Sequence, residues 1–201
     1  MGNDALLASL IKLKGGDPVL AENAITGFHC NFDDLQFDQW FLSLPSSASV
    51  AYIDAISTSI TDDSLASLTK YPNLVELFLE NTNVTLKTLP LTTAKNLKKL
   101  FLSECLNIDD SSLSVIANCI SLEKLTLYKT SISNAGLKYV ASLKSLVYLE
   151  IGETKIGDPG LEFLRDMPRL RKLGLTNTLA TEKGFAELMQ RLPGLIPNMT
   201  M

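Results

Sequence analysis

The chain repeats itself every 24 residues, and this period limits what it can fold into more than any other feature. Leu122, Leu125 and Leu127 recur as Leu146, Leu149 and Ile151, and again as Leu170, Leu173 and Leu175. Behind each triplet come a Thr (Thr130, Thr154), an Ile (Ile132, Ile156) and a Gly-Leu pair (Gly136-Leu137, Gly160-Leu161). A fixed period of this size marks units that cannot each bury their own apolar face and must stack to share one core.

Traced outward, the triplet is filled by Leu97, Leu100 and Leu102 and by Leu74, Leu77 and Leu79. It then weakens to Val50, Ile53 and Ala55 and to Ile25, Phe28 and Cys30. Seven units therefore span 25–194, preceded by a segment 1–24 and followed by 195–201, a tail or a truncated eighth unit opening at Leu195. Each unit begins with a short alternating run, which predicts a strand with the Leu slots inward. Its second half carries apolar residues three apart, such as Leu137 and Val140 or Leu161 and Leu164, which predicts a short helix. Asp62, Asp110, Asn134 and Asp158, with Glu182 in the same place, are expected to cap these helices. The unit at Leu74 lacks the acid and carries Pro90, so its second half is expected to be a loop or a broken turn. Asn3 to Lys14 reads as an amphipathic helix capped by Asn3 and ended by Gly15-Gly16, with Asp17-Pro18 continuing the break. Such a helix suits the exposed end of a repeat array.

These units resemble leucine-rich repeats, whose general form is L-x-x-L-x-L-x-x-N/C-x-L. The unit LKKLFLSECLNIDDSSLSVIANCIS is similar to the cysteine-containing subtype of F-box-associated proteins, with Cys105 and Cys119 at that subtype's two cysteine positions. The form L-x-x-L-x-L-x-x-T-x-I-x-D-x-G-L resembles a set of bacterial leucine-rich repeat proteins, and LIKLKGGDPVLAENAITGF resembles their helix-plus-Gly-Gly opening. The resemblance covers about residues 5–194. It implies an α/β right-handed solenoid with a parallel sheet on the concave face, short helices on the convex face and a helical N-terminal cap. It implies binding without naming a partner, because such repeats serve many roles. No F-box is visible ahead of the repeats, so membership of a ubiquitin ligase is not expected.

The Thr/Cys slot past each strand (Thr58, Thr82, Cys105, Thr130, Thr154, Thr178) falls where the chain turns inside a packed coil. Backbone groups there need partners, and a Thr hydroxyl can donate and accept in little space. Cys105 can replace it as a small hydrophobe with a weak donor. Cys30, Cys105 and Cys119 form an odd set with no CxxC spacing, so structural thiols are expected, with neither a disulfide framework nor a zinc site. That usage favours a reducing compartment and a cytoplasmic location. No apolar run approaches the ~20 residues of a membrane span. Asn83-Val84-Thr85 and Asn198-Met199-Thr200 are glycosylation sequons only in a secreted context.

Net charge is −4, which excludes nucleic-acid binding by bulk charge. Up to Leu65 there are two basic and nine acidic residues, a solvated acidic end. The single histidine, His29, falls opposite Asp54 on the next strand with no nucleophile implied beside it. Asp33-Asp34 and Asp109-Asp110 read as turn and cap acids. No phosphate loop, nucleophile elbow, metal motif or EF-hand loop is found. The chain is thus expected to be no enzyme, with no catalytic, cofactor-binding or metal-binding residue.

What remains is the outward side of the strands. Tyr52, Phe78, Phe101, Tyr128 and Tyr148 fall at exposed slots, with Lys98, Lys99, Lys124, Arg171 and Lys172 around them. Aromatics rimmed by charge are the composition of an interface centre, although cross-strand aromatic pairs also stabilise sheets. The expected partner-binding residues are Tyr52, Glu76, Phe78, Lys99, Phe101, Lys124, Tyr128, Tyr148, Glu150 and Lys172. The expected function is a protein–protein interaction scaffold, monomeric or weakly dimeric, binding a protein of unknown identity, with no nucleic acid, membrane span or cofactor. One alternative is a self-assembly module pairing through Leu195, Ile196, Met199 and Met201. Another is an enzyme regulator.

Overall fold

Each Leu triplet closes on a short strand whose middle residue points into the core. The computed structural model describes residues 3–21, 24–30 and 37–198. In it β1 (Asp17–Ala21), β2 (Ala24–His29), β3 (Tyr52–Asp54), β4 (Glu76–Phe78), β5 (Lys99–Phe101), β6 (Lys124–Thr126), β7 (Tyr148–Glu150), β8 (Lys172–Gly174) and β9 (Ile196–Asn198) form one sheet in chain order. From β2 to β9 every pairing is parallel, and the register advances one repeat per step. Leu77 lies beside Leu100, Leu100 beside Leu125, and Leu125 beside Leu149. The Leu slots from Leu74 to Leu173 have no exposed surface. At about 1.5–3 kcal/mol for each fully buried Leu, this row is the main favourable term in the fold.

Among the described residues α1 (Asn3–Leu13) precedes the sheet, and α2 (Phe37–Ser43), α3 (Asp62–Ala66), α4 (Leu91–Asn96), α5 (Asp110–Ile116), α6 (Leu137–Val140), α7 (Asp158–Leu161) and α8 (Glu182–Arg191) lie between the strands. α2 packs on α3, and α5 to α8 pack side by side in sequence; Leu65, Leu113, Leu137, Leu161 and Leu188 are buried from α3, α5, α6, α7 and α8. α1 closes the first coil with Leu7 and Ile11. It ends in a Schellman turn: Gly15 is left-handed (φ 84°), and the Gly15 and Gly16 N–H groups donate to the Lys12 and Ile11 carbonyls.

Four expectations are corrected. Asp17-Pro18 does not extend a break but opens β1, which pairs antiparallel with β2. β1 ends the sheet, and an end strand tolerates a proline because one side needs no N–H donor. Asn3 lies within the helix rather than capping it, and its amide donates to the Ser46 carbonyl. Pro90 does not break its unit. A turn through the left-handed Leu86 (φ 66°) delays the helix, and α4 starts directly after Pro90.

The fourth concerns the acids. Thr61, Asp109, Ser133 and Thr181 cap α3, α5, the Asn134–Gly136 turn ahead of α6, and α8. Gly157 precedes α7 without a side-chain bond. The Asp or Asn one residue later reaches instead to the following coil. Asp110 accepts the Ser133 N–H (2.8 Å) and hydroxyl (2.6 Å), and Asp158 accepts the Thr181 N–H (2.7 Å) and hydroxyl (2.8 Å). Asn134 accepts the Gly157 N–H (2.8 Å), Asp62 accepts from Thr85, and Asp38 from Thr61. Each bond joins residues 23 apart and fastens one coil to the next. The bonds from Thr181 hold the Asp158 carboxyl below the usual carboxylate range.

This clamp explains the glycine of Gly-Leu. A Cβ on Gly160 would lie 2.5 Å from Asn134 Oδ1, and one on Gly184 would overlap Asp158 Oδ1. The clamp atom fills the space a larger residue would need.

The Thr slot behaves as expected. The hydroxyls of Thr58, Thr82, Thr130, Thr154 and Thr178 donate to the carbonyl three residues back at 2.6–2.9 Å. All are buried except Thr178, which is half-buried. Before each slot stands a left-handed residue that is never glycine: Ser57, Asn81, Glu104, Lys129, Glu153 and Asn177. Left-handed backbone costs a non-glycine residue on the order of 1 kcal/mol. The turn regains this by donating the Ser57, Asn81, Glu104, Lys129 and Glu153 N–H groups to the neighbouring coil.

Two outcomes test this account. Gly184→Ala destabilises by about 1–3 kcal/mol, as overpacking does, although alanine is the better helix former. In an Asp158→Ala background the same change becomes neutral or stabilising. The cycle is read by urea unfolding at pH 7. The depressed Asp158 pKa means the clamp's contribution is complete above the unfolded value of about 3.9 and lost as pH falls through the folded one. Thr154→Val costs about 1–3 kcal/mol by leaving a buried carbonyl short of its donor; an unchanged melting curve refutes that role.

Candidate functional site

The parallel register that stacks the Leu slots also stacks the outward slots, one residue per strand. Phe78 and Phe101 are register partners and stack face to face, 4.1 Å between centroids and 10° between planes. Tyr52 lies against Phe78 at 5.0 Å, and His29 against Tyr52 at 5.0 Å. On the other side the Lys124 ammonium sits 4.8 Å from both the Phe101 and Tyr148 rings. His29, Tyr52, Phe78, Phe101, Lys124 and Tyr148 thus form one row over six strands, about 24 Å long at ~4.8 Å per strand. Ring faces are covered by neighbours within the row, so the half-buried Phe78 and Phe101 offer mainly their edges to solvent.

Charge borders the row. Lys99 pairs with Glu76 across β4 and β5 at 2.8 Å. Glu150 lies over Gly174, where a Cβ would collide with its carboxylate, and accepts the Gly152 N–H (2.9 Å) and the Tyr148 hydroxyl (3.4 Å). His29 Nδ1 is 2.8 Å from Asp54 Oδ2, so the nitrogen carries the proton the carboxylate accepts. The Tyr52 hydroxyl lies 3.1 Å from that nitrogen and 3.3 Å from that oxygen. Burial, then the Asp54 charge, pushes the Tyr52 phenol up; burial, then Glu150, does the same to Tyr148. Both phenols stay protonated donors near neutral pH. Among the described residues His29 hydrogen-bonds only to Asp54 and Tyr52.

Of the ten expected residues, the structure brings Tyr52, Phe78, Phe101, Lys124 and Tyr148 into one row, with Glu76, Lys99 and Glu150 beside it. Tyr128 stands apart: its hydroxyl donates to Glu153 at 2.5 Å and its ring lies over Gly152. Lys172 is exposed and makes no ion pair among the described residues. Arg171 donates to the Pro168 and Leu170 carbonyls, away from the row. Sequence reasoning left His29 out of the site, though its slot is the one that Phe78 and Phe101 occupy two and three strands on.

It also missed a hollow of about 300 Å³ past the ends of β3–β5, lined by Ile56, Ser57, Glu80, Asn81, Ser103 and Glu104. The signal was the column Ile56, Glu80, Ser103, one slot beyond the buried Leu. Among the described residues no His, Cys, Asp and Glu group of three could hold a metal ion, and no helix is long and apolar enough to cross a membrane. Cys30, Cys105 and Cys119 are buried and unbridged, and burial raises each thiol, Cys119 to about 12. Cys105 Sγ donates to the Leu79 carbonyl (2.9 Å), so it takes the Thr role across coils. Asp33-Asp34, Met199 and Met201 lie outside the described residues.

Among solved structures the chain is similar to an internalin (inlF) from Listeria monocytogenes, with a TM-score of 0.60 and 18% identity, covering 94% of this chain and 66% of that one. It is also similar to an internalin C2 (inlC2) from the same organism, with a TM-score of 0.57 and 21% identity, covering 96% of this chain and 80% of that one. The chain thus spans just under two thirds of the first structure's length. No protein-family model matches the chain, and no curated protein matches it in sequence. At these identities the likeness shows the fold, a leucine-rich repeat solenoid.

Proposed function

We propose that the chain is a non-catalytic protein-recognition module whose partner lies along the open face of the sheet. One observation carries this reading: a continuous row of aromatic rings, with ion pairs at its borders, on the face opposite the helices. Stacked repeats present extended surfaces of this kind, and aromatic anchors ringed by charge supply most of an interface's binding energy. The edge-on rings suit side chains laid across the row rather than planar groups stacked on it. In this reading 1–24 is a cap, 25–194 the recognition array, and the buried thiols suit a reducing compartment.

A second reading, self-assembly through the C-terminal end, is favoured by β9, the last strand of the sheet, whose Ile196 is 57% exposed. Partner capture by a monomer separates the two.

In the recognition reading, Phe78→Ala and Phe101→Ala each weaken partner binding by roughly 2 kcal/mol or more, while melting shifts little because the Leu slots beneath are untouched. Calorimetric titration and thermal melting of the double variant decide the matter. A destabilised protein with unchanged affinity means that the rings serve the sheet alone, and removes the site.

A further inference from the structure

The hollow beside β3–β5 is chemically unlike the rest of the open face. Ile56 gives it an apolar wall, with 38% of its surface exposed. The Asn81 amide donates to the Ser57 hydroxyl at 3.0 Å, and the Ser103 hydroxyl is held by Thr126 at 3.1 Å, so the polar rim is set in place. Two carboxylates face it. Glu104 is neutralised by Lys129 at 3.1 Å. Glu80 is half-buried and makes no side-chain hydrogen bond or ion pair among the described residues.

The surrounding cations have nearer partners: Lys99 pairs with Glu76, Lys129 with Glu104, and Lys124, whose charge still reaches Glu80, sits between the Phe101 and Tyr148 rings. Asp54 adds a second negative charge nearby while bonded to His29 and the Ile56 N–H.

We propose that this hollow receives a cationic side chain, lysine or arginine, from a protein partner whose neighbouring apolar residues lie along the Phe78–Phe101 edges. The proposal rests on the open face being the partner site and adds the chemistry of the residue that enters. A half-buried carboxylate with no direct partner gains from a cation brought to it, and a pocket of this size admits one long side chain. Burial, then Asp54, holds the Glu80 carboxyl above its ordinary value, the state that an incoming cation would reverse. The aliphatic stem of such a side chain would lie on Ile56 while its head meets Glu80, as amphipathic side chains do.

The test uses the full chain and needs no partner. N-acetyl-arginine methylamide is titrated into isotope-labelled protein and compared with its neutral near-isostere, N-acetyl-citrulline methylamide. We expect saturable amide shifts at Ser57, Asn81 and Ser103 with the arginine probe, at least tenfold weaker binding of the citrulline probe, and loss of the arginine response in Glu80→Gln. Equal response to both probes, shifts located elsewhere, or an undiminished Glu80→Gln response each overturns the cation pocket. The Glu80→Gln spectrum without probe establishes that the variant is folded. Failure of the partner-face reading is separately visible. If the arginine probe seats while the Phe78 and Phe101 changes leave partner affinity intact, the row is not the interface and the assignment of the cation to a partner bound there falls with it.

Discussion

The bond from an Asp or Asn near the start of one coil's helix to a residue 23 positions on in the next coil is the contact on which the rest of the structure depends. Parallel strands fix the rise per coil at ~4.8 Å, and the clamp makes the opposite edge climb at the same rate. Asp38, Asp62, Asp110, Asn134 and Asp158 each spend their side-chain acceptors on a residue 23 positions ahead. The glycine of Gly-Leu is the imprint of that contact, since the acid from the coil before stands where its Cβ would be. Stability in such an array is a sum of unit and nearest-neighbour terms, and the clamp is a neighbour term written into the repeat.

Period, strand positions, solenoid class and the Thr slot were legible because each follows from identical residues at identical heights. What was hidden depended on neighbours the pattern does not name. The acids have cap chemistry and stand where caps stand, so nothing local tells a residue that caps its own helix from one that fastens the next coil. The left-handed turn residues carry no glycine signal, because an inter-coil N–H bond offsets their strain. β1 was obscured by Pro18, whose meaning as an edge residue appears only once the sheet's end is known. At the open face the columns were readable, but whether rings on adjacent strands stack, splay or fold over a glycine was not. Tyr128 goes to Glu153, while His29 joins the row.

The translation that builds the core also builds that face. A ladder of like slots repeats whatever chemistry it holds, so an aromatic at one height meets its neighbour at stacking distance unless a smaller residue intervenes. Thr126 on β6 and Gly174 on β8 intervene, and between them Glu150 of β7 lies down across the sheet. The face thus carries the row over β2–β7, with the hollow past the ends of β3–β5, and beside the row a patch at Gly152 and Gly174 where Glu150 lies.

The clamp fails at one junction, between the coils opening at Leu74 and Leu97. Leu86 occupies the acid's place and sits in a left-handed turn, so no carboxylate reaches forward to Asp109. The next helix start closes on itself instead. The Asp109 N–H meets the Ser112 hydroxyl, Asp109 accepts from Ser111 and Ser112, and Ser112 takes the slot that glycine holds in the three coils that follow. These same two coils carry the closest ring stack and the Glu76–Lys99 ion pair on the open face, and the Thr82–Cys105 contact in the core. At the junction that lacks its fastening on one edge, the coils meet through a ring stack and an ion pair on the open face and a Thr–Cys contact in the core. Phe78 and Phe101 thus stack at the junction that lacks the clamp, above Leu slots that are fully buried. Stacking covers their faces and leaves their edges, so holding the junction and meeting a partner draw on different surfaces of the same rings.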